Sequence, residues 1–447
     1  MACYHAPREW EDWSNWLAAG LHGRLRWRLP VLMLGLLFAG GRRVVVAAWI
    51  RAAGVSDDYQ NYYFFLQSVG QRWRELGGRL LVLVIQRALP DQQRVLLAID
   101  DSPTKRYGPK VQGAGIHHDP TPGPAGAAFC YGHVWVTLAV VVRHPGWGTI
   151  GLPLWSWLYV RQQDVAKLPA RQGWVFQTKL QQAADLVRLA ARQLQFAGQQ
   201  VWVVADGAYA KRPFVQPVQK LGVTLVGRLR KDSALRDLPP REQTGAKKRR
   251  GRKRKYGKNR SSLAKRAAHR QGWQEVTCLV YGVEVVKRVK TFLATHRTFS
   301  GAIRVVIVKE QTGPQFFYCT DVNASPREII EAFADRAAIE QVFHDVKEVW
   351  GSGQQQVRNL HANIAAWHLK LWMHTLVELW AWNRSAKQLV RRHDSPWDRA
   401  DRRPSHADRR KALQAACLSA EFSRTASSQR MSRKFRTLLA RLLRIAI

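Results

Sequence analysis

Acidic residues are scarce in this chain: 32 Asp and Glu stand against 71 Lys and Arg, a formal net charge of +39 over 447 residues. Solubility does not require so large an imbalance. A polyanionic partner explains it through phosphate neutralisation and counterion release, which makes nucleic acid the leading candidate and an anionic membrane surface the second. Cysteine is scarce as well. Cys3, Cys130, Cys278, Cys319 and Cys417 are scattered without a CxxC pair, so neither a disulfide framework nor a cysteine zinc site is expected, and they read as small buried apolar residues. Long apolar runs are missing too. The longest, LPVLMLGLLFA at 29–39, is shorter than the ~20 residues of a spanning helix, and MACYHAPREWEDW lacks the layout of a signal peptide. A cytoplasmic, nucleoid-associated location without membrane contact is expected.

What is present suffices for two or three domains: 46% of residues are hydrophobic and 19 are tryptophan. Residues 1–90 read as a helical N-terminal domain. Within it, GRRVVVAAWIRAAGVSDDYQNYYFFL (41–66) gives one helix, a break at Gly54 and a Ser56/Asp57 cap opening a second, the outline of a DNA-reading helix-turn-helix. Many small helical domains share that outline without touching DNA. From 94 the pattern changes to strands: RVLLAID (94–100), ending in Asp100, then GHVWVTLAVVV (132–142) and TIGLPLWSWLYV (149–160). A helical stretch at 179–198 leads to QVWVVAD (200–206), which ends in Asp206, then a short helix from Arg212 and the strand VTLVGRL (223–229). That order predicts an α/β layer with a mixed sheet.

KKRRGRKRKYGK (247–258) carries nine basic residues in twelve. It reads as a solvated, mobile loop whose Lys247, Lys248, Arg249, Arg250, Arg252, Lys253, Arg254 and Lys255 touch phosphate. A β-rich stretch at 272–321, a helix from Pro326 to Trp350, an apolar helix from Asn363 to Trp382 and an arginine-rich tail follow. The expected organisation is a helical DNA-binding domain (1–90), a catalytic core in two parts (91–229 and 322–382), a basic loop and β-rich insertion between them (230–321), and a basic helical tail (383–447).

The 326–350 helix is the best signalled element. Ser325, Pro326 and Glu328 form a capping box with proline at the first helical position, and Gly351 stands where the helix should stop. Within FADRAAIEQVFHDVK (333–347), taking Arg336 as zero at about 100° per residue, Glu340 falls near 40°, Lys347 near 20° and Phe333 near 60°. All four share one face. Ile339, Val342, Phe343, Val346 and Val349 fall between about 220° and 340°, an apolar stripe for the core. Taken alone, Arg336 and Glu340 would be an ordinary surface ion pair at i and i+4. Asp100, Asp206 and Glu340 on separate elements of one α/β layer, however, are the oxygen donors that a pair of Mg²⁺ ions requires for in-line phosphoryl transfer.

Phe333-x₂-Arg336-x₃-Glu340-x₆-Lys347 resembles the Tyr-x₂-Arg-x₃-Glu-x₆-Lys signature of bacterial insertion-sequence transposases of the DDE superfamily. IDDSP (99–103) and ADGAYA (205–210) resemble that family's two aspartate motifs. The resemblance runs from about 90 to 380 and includes a β-rich insertion before the glutamate helix. It implies a ribonuclease H-like α/β fold and metal-dependent cleavage and strand transfer at the ends of the protein's own mobile element. Asp100, Asp206 and Glu340 would hold two Mg²⁺ ions, with Mn²⁺ a possible substitute, and a homodimer would pair two ends of double-stranded DNA. Arg336 and Lys347 would reach DNA phosphates, and their truncation should shift stability only by a few tenths of a kcal/mol. Phe333 replaces the usual tyrosine and loses a hydroxyl that could contact DNA. Asp101 competes with Asp100 as the first ligand, and Asp100 is preferred because it follows the apolar run first. The alternatives are a ribonuclease H-like nuclease that cleaves without joining and a domesticated, non-catalytic DNA-binding protein. His117, His118 and Asp119 offer no third ligand at zinc spacing and read as structural or DNA-contacting. Trp273, one of many tryptophans, reads as core before base stacking.

Overall fold

The computed structural model describes residues 6–40, 43–90, 92–118, 128–240, 254–390, 397–399 and 401–426. It divides into two compact units: Met1–Asp91, Asp101–Gln177 and Glu340–Ile447 form one, Gln92–Asp100 and Thr178–Ile339 the other. The strands, in chain order, are β1 Arg94–Lys105, β2 Gly115–His118, β3 Phe129–His144, β4 Gly148–Tyr159, β5 Gln200–Ala205, β6 Thr224–Arg228, β7 Leu235–Arg236, β8 Arg260–Ser261, β9 Gln274–Val280, β10 Val283–Thr295, β11 Ala302–Glu310 and β12 Gly313–Cys319.

The first unit gathers helices around one that is buried on every side. Leu360–Ala381 is buried at every residue but His361, so its polar side chains need partners inside the protein. The Tyr59–Gln71 helix packs on it so closely that a Cβ at Gly70 would fall 1.9 Å from the His361 carbonyl oxygen; glycine is required there. Polar groups on the buried helix find partners in neighbouring backbone. Trp372 Nε1 donates to the Leu154 carbonyl at 2.8 Å, Thr375 Oγ1 to that of Pro153 at 2.7 Å, and the Ser156 amide donates to His368 Nε2 at 3.1 Å. Burial pushes the His368 pKa down to about 4. Lys370 Nζ donates to the Gly351 carbonyl at 2.6 Å, and burial holds its pKa well below the usual lysine range. β3 pairs antiparallel with both β2 and β4 in this unit, and Thr104, at the far end of β1, accepts a hydrogen bond from Trp135 Nε1 of β3 at 3.0 Å.

Several expectations meet their elements here. The described elements from Arg8 to Ala88 are all helices or 3₁₀ turns, as predicted, and 29–39 lie in and just after the buried helix Arg28–Phe38. No described helix is long and apolar enough to cross a membrane. The helix-turn-helix outline is present as Val46–Ala52, Gly54 at φ 66° and Tyr59–Gln71. The Ser56/Asp57 cap is not: those residues form a 3₁₀ turn, Ser56–Asp58, and the helix starts after it without a side-chain cap. His117 and His118 sit on β2, their rings 6.0 Å from that of Tyr159 and 5.6 Å from that of Phe129; Asp119 lies outside the described residues. Cys130, Cys278, Cys319 and Cys417 are buried.

The second unit is built on a sheet. β1 pairs parallel with β5, and β5 with β6. Beyond β6 the sheet turns antiparallel through β12, β11, β10 and β9, so the strands of the 230–321 stretch continue the same sheet. The Lys179–Phe196 helix opens with a Thr178/Gln181 capping box. Lys247, Lys248, Arg249, Arg250, Arg252 and Lys253 lie outside the described residues, whereas Arg254 and Lys255 are described and exposed.

Two boundaries differ from expectation. β1 does not end at Asp100 but continues to Lys105, beyond the apolar run that marked it in sequence and through residues that alternate between buried and half-buried. The 326–350 helix is two helices, Pro326–Asp335 and Ala337–Glu348. They meet at Arg336, where the Arg336 amide bonds to the Phe333 carbonyl and the Ile339 amide to that of Arg336, a local tightening to three-residue bonds.

Candidate active site

The parallel register of β1 and β5 builds the site. Arg94 pairs with Gln200 and the ladder runs in step to Ile99 with Ala205, so the next residue on each chain is an aspartate, Asp100 and Asp206. Paired residues of parallel strands point to the same face. The two carboxylates therefore emerge side by side, while alternation turns Asp101 the other way. Asp206 directly precedes a 3₁₀ turn, Gly207–Tyr209, without a side-chain cap, and Tyr209 is buried against Phe214.

The Pro326–Asp335 helix is tied to β1 at both ends. At its start the Ser325/Glu328 capping box forms as expected: Ser325 Oγ accepts from the Glu328 amide at 3.2 Å, and Glu328 Oε2 accepts from the Ser325 amide at 2.9 Å. Glu328 also takes Arg94 Nη1 at 2.6 Å. Burial by itself would raise the Glu328 pKa, but the Ser325 amide and Arg94 bring it below the usual range. At the helix's end Arg336 Nη1 donates to Asp100 Oδ2 at 2.9 Å. Arg336 also lies over the Phe333 ring, 5.6 Å from its centroid, and that ring packs on Phe317 of β12 at 4.8 Å. Glu340 stands one turn further along, exposed on Ala337–Glu348, and Lys347 is half-buried in the last turn. The predicted apolar stripe is buried at Ile339, Val342, Phe343 and Val346; Val349 is half-buried.

A cavity of about 1200 Å³ opens beside Asp206 within the second unit. Arg228, Arg230, Lys231, Arg270, Arg288 and Lys309 line it against the acids Asp206, Asp232 and Glu310, so cations dominate. Two of the acids are already paired: Asp232 with Arg230 at 3.2 Å and Glu310 with Lys287 at 2.9 Å. Trp273 is at the wall, its Nε1 donating to the His269 carbonyl at 3.2 Å and Lys290 Nζ 4.7 Å from its ring. Sequence reasoning did not find this basic lining, since it comes from strands far apart in the chain. It also missed the cluster of Asp345, His374 and His406. One signal was available for that cluster: His374 and Glu378 stand at i and i+4 in an otherwise apolar helix.

The strand order β4-β3-β1-β5-β6, antiparallel before β1 and parallel after it, with flanking helices, defines a mixed α/β protein of the ribonuclease H-like class. The chain belongs to the DDE superfamily endonucleases, whose family model it matches over residues 17–291. That span contains Asp100 and Asp206, while Arg336, Glu340 and Lys347 follow it in the chain. Membership implies nuclease-type chemistry on DNA with divalent metal ions. No curated protein matches the chain.

Proposed function

We propose that the protein is a transposase that cuts DNA at the ends of its own insertion sequence and joins the freed 3′ ends to target DNA. Asp100, Asp206 and Glu340 would hold two Mg²⁺ ions, with Mn²⁺ able to substitute. The observation that carries this reading is the register of β1 and β5, which brings Asp100 and Asp206 abreast. Glu340 enters on its sequence spacing from Arg336. The donor set fits: three carboxylates supply the hard oxygen ligands Mg²⁺ prefers. When bound, a metal pair activates the attacking oxygen, first of water and then of a 3′-hydroxyl, and stabilises the leaving one.

The chain's own residues prepare that chemistry. Arg336 neutralises Asp100 and fixes the direction of its carboxylate, so the strand presents a held ligand. The cations around the cavity beside Asp206 offer phosphate contacts that orient a strand without reading its sequence. Lys347, Phe333 and the basic run that includes Arg254 and Lys255 would add further DNA contacts. A homodimer would pair two ends, and the 41–71 helices would read end sequence.

The test is to incubate the full-length protein and Mg²⁺ with DNA flanking its own gene and a target plasmid. The proposal expects nicks at the element's ends and covalent joints between those ends and the plasmid. Cutting without joints would favour the nuclease reading, and binding without cutting the non-catalytic one.

A further inference from the structure

Asp345, His374 and His406 come from three helices of the first unit, Ala337–Glu348, Leu360–Ala381 and His406–Ala426. Each offers one ligand atom, and the three atoms lie within 4.8 Å of one another. All three residues are buried, the two histidines almost completely. Asp345 Oδ2 is 3.5 Å from His374 Nε2, at the outer limit of a hydrogen bond. It is also the spacing of two ligands on one ion: bonds of about 2.0–2.2 Å in a tetrahedron put neighbouring donors about 3.3–3.6 Å apart.

The hydrogen bonding around the cluster points the same way. His374 is only 2% exposed, yet its Nδ1 has no partner and its Nε2 makes no short bond. An ion on Nε2 would give that buried nitrogen the close partner it lacks. His406 Nδ1 donates to Glu378 Oε1 at 2.6 Å, the carboxylate support that orients a metal-binding imidazole and leaves Nε2 as its donor atom. Glu378 is fully buried, takes Arg409 Nε at 3.0 Å on the same oxygen, and has no partner at Oε2.

We propose that Asp345, His374 and His406 form a structural site for a transition-metal ion of the zinc type, separate from the carboxylates assigned to DNA chemistry. Imidazole ligands select such an ion over Mg²⁺. Water would supply the fourth donor, Glu378 staying on the Nδ1 side of His406. Seating the ion requires His406 Nε2 to give up its 2.8 Å bond from Trp350 Nε1. The two imidazoles, stacked at 4.0 Å and 18°, must also tilt so that their lone pairs converge. In return the ion would clamp the helix that carries Glu340 to the two helices C-terminal to it.

The test uses the full-length Asp206→Asn protein, so that the carboxylate site contributes little. After dialysis against chelator it is titrated with Zn²⁺ and with Co²⁺. One tightly held Zn²⁺ per chain, the intense visible bands of low-coordinate Co²⁺ with nitrogen ligands, and a rise in Tm on adding Zn²⁺ are expected. Asp345→Asn, His374→Gln and His406→Gln, each added to that background, should lose all three. Asp345→Asn keeps side-chain volume, and its far-UV circular dichroism establishes that it is folded. Failure of the parent to bind stoichiometric Zn²⁺, or full binding by folded Asp345→Asn, would overturn the proposal. If every ligand variant unfolds, the stoichiometry and Tm shift of the parent decide it. Loss of DNA cleavage has no bearing on these readouts, so this site and the proposed function stand or fall separately.

Discussion

Arg336 Nη1 lies 2.9 Å from Asp100 Oδ2, joining the residue where two helices meet to the strand that supplies an acid of the candidate site. Both side chains are mostly buried, 16% and 22% exposed. The bond spans 236 residues of chain. With Arg94 and Glu328 at the other end of the helix, it fixes where Pro326–Asp335 lies along β1.

Stability should register this bond. An ion pair at intermediate burial is worth more than an exposed one and less than a buried one, so Arg336→Ala should cost about 1–2 kcal/mol. Sequence alone suggested a few tenths; the partner on β1 revises that. Lys347→Ala should remain within about 0.5 kcal/mol. Urea denaturation of both variants measures the difference, and equal losses would contradict the structural weight given to the Asp100 contact.

Asp100 and Asp101 should separate cleanly. The register with β5 puts Asp100 on the face of Asp206, so Asp100→Asn should abolish Mg²⁺-dependent cleavage while Asp101→Asn keeps it. The opposite pattern in a cleavage assay would mean that the first ligand is displaced by one residue.

Lys347 should act on DNA through charge alone. Removing one cation from a phosphate lowers the slope of log affinity against log salt by about 0.9. Lys347→Ala should therefore bind end DNA and unrelated duplex more weakly by similar factors, with that shallower slope, in a filter-binding titration. A wild-type slope would remove Lys347 from the DNA interface.

How much of this was legible in sequence depends on how local each signal is. The capping box at Ser325, the apolar stripe from Ile339 to Val346 and the strands that lead to Asp100 and Asp206 follow from short-range patterns, and the structure has them. The end of β1 was not legible, because Asp101, Ser102 and Pro103 after the apolar run are residues that usually mark a turn. Neither was the break at Arg336, which has no proline or glycine to announce it. The Asp100 partner of Arg336, the cations around Asp206 and the meeting of Asp345 with His374 and His406 arise from contacts distant in sequence, which no local pattern encodes.

The proposed function requires that Asp100, Asp206 and Glu340 form one metal-dependent DNA-cutting centre. It is tested most directly by assaying wild type, Asp206→Asn and Glu340→Gln on the same end DNA with Mg²⁺, measuring cleavage and binding together. Each substitution removes a carboxylate oxygen charge without removing a cation that touches phosphate. The account predicts that both variants bind within a few-fold of wild type and cut no DNA. Near-normal cleavage by either one would contradict it.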